Sequence, residues 1–265
     1  MASSVLILGN PNVGKTTLFN RLCGLRSATA NFPGSTVEAR VGTSVRRGAK
    51  RTFTDLPGTY SLNTKDDLSH VCTNALDGVE CDPPDAVLII ADATNLRRNL
   101  TLVNEVLHHG VPCVVALSMV DIAQKSGLTF DTKKFGENLG CPVVAVHPRT
   151  GDGINQLHEA LDYPTAPPSS LPDTEQYSEV NDWANDVIAS SVGGKLAISG
   201  GTLTDRLDAA FTHPILGLFV FASVMASLFW VIFTLAAFPM DLVDLVFGHV
   251  GQFVENVLPE GAFSD

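Results

Sequence analysis

Apolar residues are grouped along this chain in short continuous runs separated by mixed stretches. Ser4 to Leu8 is a run of β-branched and leucine residues that stops at Gly9, and Lys15 to Leu25 then reads as a helix. Ala86 to Ala91 (AVLIIA), Cys113 to Leu117 (CVVAL) and Pro142 to Val146 are further apolar runs of strand length. Between and after them, Arg98 to His109, Thr132 to Asn138 and Ile154 to Leu161 read as helices. Continuously apolar strands alternating with helices predict an α/β fold with a mostly parallel sheet covered by helices on both faces. Val37 to Arg46 and Lys50 to Thr54 read as a hairpin, and the basic cluster Arg46, Arg47, Lys50 and Arg51 is expected to be its solvated turn.

The pattern changes after Tyr163. Tyr163 to Pro172 (YPTAPPSSLP) is rich in Pro and Ser and reads as a linker. Thr174 to Val192 and Thr202 to Phe211 are then expected to be helical, joined by the glycine-rich stretch Gly193 to Gly201, with little core of their own. Ile215 to Phe238 follows, 24 residues without a charge. At about 1.5 Å per residue such a helix spans a hydrocarbon core of about 30 Å. Lys195 and Arg206 precede this stretch and no Lys or Arg follows Pro239, so the positive-inside bias places the N-terminal part in the cytoplasm. The expected organisation is a domain over 1-163, a linker over 164-173, a small helical domain over 174-212, a transmembrane helix over 214-239 and a post-membrane segment over 240-265. That last segment is expected to be cut short, making the chain a fragment of a longer polytopic protein.

Composition narrows the partners. The net charge of -11 over 265 residues speaks against a nucleic-acid binder, which needs clustered Lys and Arg. Five cysteines (Cys23, Cys72, Cys81, Cys113, Cys141) show no CxxC pair, as expected of free thiols in a reducing compartment. Cys72 and Cys81 are read as loop thiols. MASSVLILGNP lacks a basic n-region and is not expected to be a secretion signal. His70, His108, His109 and His147 are spread over different predicted elements without metal-ligand spacing, and Asp241 and Asp244 are read as marking the membrane interface.

The candidate chemistry begins where the first strand ends. GNPNVGKTT comprises Gly9, Asn10, Pro11, Asn12, Val13, Gly14, Lys15, Thr16 and Thr17, and fits G-x-x-x-x-G-K-[ST] completely. Backbone N–H groups of such a loop and of the helix it opens cradle the α and β phosphates. Lys15 then neutralises β and γ oxygens, and Thr16 supplies a hydroxyl to Mg²⁺. Asp55-Leu-Pro-Gly58 lies 40 residues after Lys15, with Thr36 of NFPGSTVE between them. In that order Asp55 holds the Mg²⁺ shell through water, Gly58 offers its N–H to the γ-phosphate, and Thr36 is the second hydroxyl on Mg²⁺. Base recognition is expected from Ser118-Met119-Val120-Asp121, where Asp121 accepts from guanine N1 and N2, and from His147-Pro148-Arg149. Ser118 lacks the paired donor and acceptor of an amide, and Pro148 has no N–H to offer guanine O6, so ATP remains open beside GTP.

GNPNVGKTTLFN, ANFPGSTVE, DLPGTYSL, DATNLRRNL (Asp92 to Leu100) and the TLTDRLD and HPILGL segments leading into the apolar stretch together resemble the N-terminal part of FeoB-type ferrous iron transporters. The resemblance covers nearly the whole chain, in order. It implies a Ras-like P-loop G domain binding GTP or GDP with Mg²⁺, a small helical coupler of GDP-dissociation-inhibitor type, and a bacterial inner-membrane location with the G domain in the cytoplasm. Fe²⁺ would be the cargo of the full-length protein, and membrane lipid its surroundings. A homo-oligomer and small accessory transport proteins are partners it leaves open. The helical unit is shorter here than in the family. Catalysis would fall to Lys15, Thr36, Gly58 and Asn12. Thr59 stands where Ras-like enzymes carry a glutamine, and the resemblance assigns Asn12 to K⁺, whose charge would replace an arginine finger and stimulate a slow GTPase. The plain alternative for Asn12 is a loop residue tolerating an unusual backbone angle. Two alternatives to a GTPase switch stay open: a nucleotide sensor with negligible turnover, and a relaxed NTPase that also accepts ATP.

Overall fold

The apolar runs become strands buried on both sides. In the computed structural model, residues 3–24, 27–33, 35–46, 48–79, 81–166, 171–174, 176–194 and 216–257 are described. The first elements are β1 (Ser4–Gly9), α1 (Lys15–Cys23), β2 (Ser27–Asn31), β3 (Glu38–Arg46), β4 (Ala49–Asp55) and α2 (Asp67–Asp77). The central part continues with β5 (Ala86–Asp92), α3 (Leu96–His108), β6 (Cys113–Ser118), α4 (Val120–Lys125), β7 (Thr129–Phe130), α5 (Thr132–Leu139), β8 (Val143–Ala145) and α6 (Ile154–Asp162). Beyond the linker lie α7 (Tyr177–Ser191), β9 (Val192–Gly193) and α8 (Leu216–Val257).

One seven-stranded sheet has the order β2-β3-β4-β1-β5-β6-β8. Its β1, β4, β5, β6 and β8 pair in parallel, and the antiparallel β2 and β3 close one edge. Because side chains alternate along a strand, each strand feeds two cores. Val5 and Ile7 of β1 pack with Leu18, Phe19 and Leu22 of α1 and Leu157 and Leu161 of α6. Leu6 and Leu8 face the other way, into a core shared with α2, α3, α5 and α7. The parallel sheet with helices on both faces is therefore the architecture that the apolar runs predict.

Several local readings are corrected by packing. Ser27–Asn31, for which no strand is read from the residues, is an edge strand paired with β3, and Phe32 N–H donates to the Val37 carbonyl at 2.8 Å. Cys72 is no loop thiol: it sits on α2, is buried in the core, and burial pushes its pKa up to about 12. The sequence reading missed α2, whose N-cap is Asp66 accepting from Ser69 N–H at 2.7 Å. Arg51 does not belong to a solvated turn. It is buried and meets Asp162 at 2.7 Å, tying β4 to α6, while Arg46 donates to the Asn155 carbonyl. Arg47 lies outside the described residues.

The chain divides into two units, residues 1–196 and 197–265. In the first, α7 lays Ala184, Val187 and Ile188 into the core beside α3 and α5, and Val192–Gly193 pairs with Thr129–Phe130. The predicted helix over Thr202 to Phe211 lies outside the described residues. In the second unit α8 runs for 42 residues through Pro239, about 63 Å at helical rise, with Leu218, Phe219, Trp230 and Phe233 each more than half exposed. It carries an 18-residue stretch, Gly217–Thr234, long and apolar enough to cross a membrane.

A pH dependence follows from α6. His158 is buried there, and burial first, then the positive charges of Arg46 and Arg51, lower its pKa to about 4. An unfolded imidazole takes up its proton near pH 6.5. Between about pH 6.5 and 4 the unfolded chain therefore binds more protons, and stability falls as the pH falls. Urea unfolding at pH 7 and pH 4.5 checks this: His158→Phe is expected to show a smaller loss of stability between the two than the parent.

Candidate nucleotide site

The crevice at the carboxyl ends of β1, β4, β5 and β6 gathers the predicted phosphate and base residues, as open α/β sheets do. Strand β1 ends at Gly9, and the chain bends through Asn10 to Gly14 before α1 begins. Gly14 adopts a left-handed conformation (φ 92°) and serves as the N-cap without any side-chain acceptor. The amides of the first turn of α1 are thus left to an external acceptor, at the positive end of the helix dipole. Asn12 shares the left-handed region (φ 65°), the backbone angle that its plain alternative reading names, and its side chain is exposed. Thr16 and Thr17 are exposed, Val13 is buried, and Asn10 is buried with neither amide atom hydrogen-bonded.

Lys15 is buried, with its Nζ 3.4 Å from the Gly9 carbonyl that it donates to. Burial draws its pKa below the ordinary range, opposed by the charge of Asp55. Asp55 ends β4 in parallel register with Ile7 of β1, which brings its carboxylate to the loop. Burial raises the pKa of Asp55, while Lys15, Arg40 and a bond from the Thr16 hydroxyl oppose the shift. Its Oδ1 is buried without a hydrogen-bond partner. A carboxylate oxygen without a partner beside a threonine hydroxyl is a hard-oxygen pair of the kind that suits Mg²⁺ through water. Thr36 stands exposed just before Val37.

Gly58 closes on the loop from the other side. A Cβ there would lie 2.7 Å from Pro11 N and 2.8 Å from Lys15 Nζ, so only glycine permits the approach. The next residue turns inward: the buried Thr59 hydroxyl donates to the Ser61 carbonyl at 2.7 Å and lies 3.3 Å from Ser69 Oγ.

On the base side, Ser118 ends β6, and its buried hydroxyl donates to the Val13 carbonyl at 2.7 Å. It ties the end of β6 to the loop between β1 and α1. Met119, left-handed at φ 56°, caps α4 and sets Asp121 in the first turn. Asp121 Oδ1 is 3.6 Å from His147 Nδ1. Pro148 and Arg149 follow in a turn closed by His147 N–H donating to the Asp152 carbonyl and Gly151 N–H to the His147 carbonyl, with Arg149 exposed. Among the described residues no group of three or more His, Cys, Asp or Glu gathers to hold a metal ion.

Two residues near the site escaped the sequence reading. Glu105 of α3 is buried and accepts from Ser61 and Leu62, and Arg98 stacks over Tyr60. A glutamate within the apolar run Leu102, Val103, Val106 and Leu107 was the signal that could have revealed the first.

Comparison with known proteins bears on the whole arrangement. The family model for ferrous iron transport protein B matches residues 3–161. The Fe(2+) transporter FeoB of Leptospira biflexa serovar Patoc is 28% identical over an alignment covering 97% of this chain and 47% of that protein. The Fe(2+) transporter FeoB of Salmonella typhimurium is 42% identical over 59% of this chain and 20% of that protein. The chain thus spans less than half the length of these curated relatives. Among solved structures, the cytosolic domain of the T. maritima FeoB iron transporter in its GMPPNP form superposes with a TM-score of 0.64 at 25% identity, over 72% of this chain and 99% of that one. A family model matched over more than half of the chain, centred on the phosphate loop and its sheet, shows that this chain belongs to the ferrous iron transport protein B (FeoB) family through its P-loop G domain.

Proposed function

We propose that this chain is the GTP-binding and hydrolysing switch of a bacterial inner-membrane ferrous iron transporter, its nucleotide state coupled to Fe²⁺ uptake by the full-length protein. The observation that carries the reading is the meeting of four features in one crevice: the uncapped start of α1, buried Lys15, Asp55 with Thr16, and Asp121 beside the end of β6. The amides of α1 and of residues 9–14 bind phosphate oxygens, and Lys15 neutralises them at low dielectric, where its charge acts most strongly. Thr16, Thr36 and, through water, Asp55 would hold Mg²⁺, which supplies positive charge to the phosphoryl oxygens when bound. Asn12 would bind K⁺ at the outer side of the loop. Gly58 offers its N–H to the terminal phosphate. Asp121 accepts from guanine, while Ser118 holds Val13 and thereby the loop. Residues 174–212 are assigned to a small helical coupler and 214–239 to the transmembrane helix that joins the switch to the remainder of the transporter. The relatives' names speak of Fe²⁺ transport and the solved neighbour holds a GTP analogue, which supports the same reading.

A second reading is favoured by Thr59. With its hydroxyl turned to Ser61 and Ser69, this residue orients no water, as a sensor with negligible turnover would require.

Phosphate release from GTP and from ATP, each with Mg²⁺ in K⁺ buffer, separates these readings. Slow turnover of GTP alone is expected, and Lys15→Ala is expected to lower it by about 100-fold, a loss typical of removing a charge-stabilising group. Silence with GTP in the presence of tight GDP binding selects the sensor, and equal turnover of both nucleotides selects a relaxed NTPase. Replacing K⁺ by Na⁺ tests Asn12. The parent is expected to slow, and Asn12→Ala to turn over at the same rate in either salt; undiminished K⁺ stimulation of the variant removes Asn12 from that role.

For the membrane helix, Trp230 provides the probe. In a Trp183→Phe background, brominated phospholipid vesicles are expected to quench its fluorescence strongly, and an unquenched signal counts against insertion of α8.

A further inference from the structure

Beyond the phosphate loop, a buried carboxylate joins α3 to the segment after Gly58. Glu105 is 6% exposed on α3, a helix whose Leu102, Val103 and Val106 are buried in the core. A carboxylate in such surroundings must have its oxygens satisfied, and both are. Oε1 accepts from Ser61 Oγ at 2.7 Å and Asn63 Nδ2 at 3.4 Å, and Oε2 accepts from Leu62 N–H at 2.6 Å. Two turns earlier on the same helix, the Arg98 guanidinium lies 3.8 Å from the centroid of the Tyr60 ring. Four consecutive residues, 60 to 63, are thus fastened to α3. The path back to the phosphate loop is short: the Thr59 hydroxyl is fixed to the Ser61 carbonyl, and Gly58 packs against Pro11 and Lys15.

We propose that Glu105 is a positioning residue, a latch by which α3 holds Gly58 against the phosphate loop and so favours bound GDP over bound GTP. The proposal rests on the GTPase reading above. A terminal phosphate set between Lys15 and Gly58 N–H has to move Gly58 outward, since Gly58 lies so close to the loop that even a Cβ on it would come within 2.7 Å of Pro11 N and 2.8 Å of Pro11 Cα. Residues 59 to 63 follow, against charge-assisted bonds to a buried carboxylate. GDP makes no such demand. The latch therefore acts as a differential term between the two nucleotide states, which is what a ligand needs in order to shift a conformational equilibrium. Glu105 touches neither nucleotide nor Mg²⁺ site; it acts through Ser61 and Leu62.

The test is the ratio of affinities for a non-hydrolysable GTP analogue and for fluorescent GDP, measured on the full chain. Glu105→Ala is expected to raise the affinity for the analogue relative to GDP by about fivefold, the worth of roughly one net hydrogen bond. Ser61→Ala, which removes one partner from the other side, is expected to shift the ratio in the same direction by less. Glu105→Gln keeps an acceptor for Leu62 N–H and can donate to Ser61 Oγ, and is expected to stay within about twofold of the parent. An unchanged ratio in both alanine variants, or a shift toward GDP, overturns the latch while leaving the GTPase reading intact. Should Glu105→Ala lose GDP binding altogether, Ser61→Ala decides alone. A parent chain that binds neither nucleotide overturns the GTPase reading and the latch together.

Discussion

A strand buried on both faces has one place where its backbone can meet a ligand, its carboxyl end, and β1 sets that place for the whole molecule. Its odd residues are held by α1 and α6 and its even residues by the helices opposite, so neither register nor direction is free to vary. The chain leaves this strand at Gly9 and must start a helix within six residues, at Lys15. The positive φ values at Asn12 and Gly14 accomplish the turn, and they leave the amides of α1 aimed outward with no side chain to cap them. The anion-binding property of the loop is therefore a consequence of how a two-faced strand is followed by a helix.

The charges are arranged around the same point. Parallel pairing brings Asp55 beside the loop, and burial disfavours the charged forms of both Asp55 and Lys15 while each stabilises the other. Such a pair fits the proposed ligands, phosphate at the ammonium and a hydrated cation at the carboxylate oxygen that has no hydrogen-bond partner. Ser118 adds a mechanical link, since its hydroxyl binds the Val13 carbonyl across the gap between β6 and the loop. The residues proposed for base and phosphate are thereby built on one frame, although Asp121 itself stands on a short helix at the surface.

Around that frame the helices differ in what they hold. On one face α1 and α6 secure the sheet, with Arg51 and Asp162 forming an ion pair between β4 and α6. On the other, α3 serves both the core, through its leucines and valines, and the segment beyond Gly58, through Glu105 and Arg98. The same face receives α7, whose last turn leads into a two-stranded pairing with Thr129–Phe130 just after α4. The elements around the P-loop crevice are thus packed together with the helix that follows the linker.

Much of this was legible in the residues themselves. Continuous apolar runs disclosed β1, β5 and β6 because a two-faced strand needs no polar positions, and glycine and lysine at P-loop spacing disclosed the phosphate site because that chemistry depends on local backbone geometry. The apolar stretch from Ile215 likewise announced α8, though not that the helix continues through Pro239 to Val257. What escaped was decided by distant contacts. Ser27–Asn31 alternates polar residues only with small alanines, a weak strand signal, and is a strand because β3 offers it an edge. Arg51 reads as a turn cation until α6 brings Asp162 to it, 111 residues further along the chain. Ser118 reads as a weak base contact until the folded sheet sets its hydroxyl against Val13, and Glu105 reads as one more helical glutamate until the segment after Gly58 lies over it. The sequence by itself determined the elements whose cause is local, in hydrophobic periodicity and backbone freedom. Only the tertiary structure decided which buried polar groups meet, because a buried charge or hydroxyl takes its partner from whatever the fold places within hydrogen-bond reach.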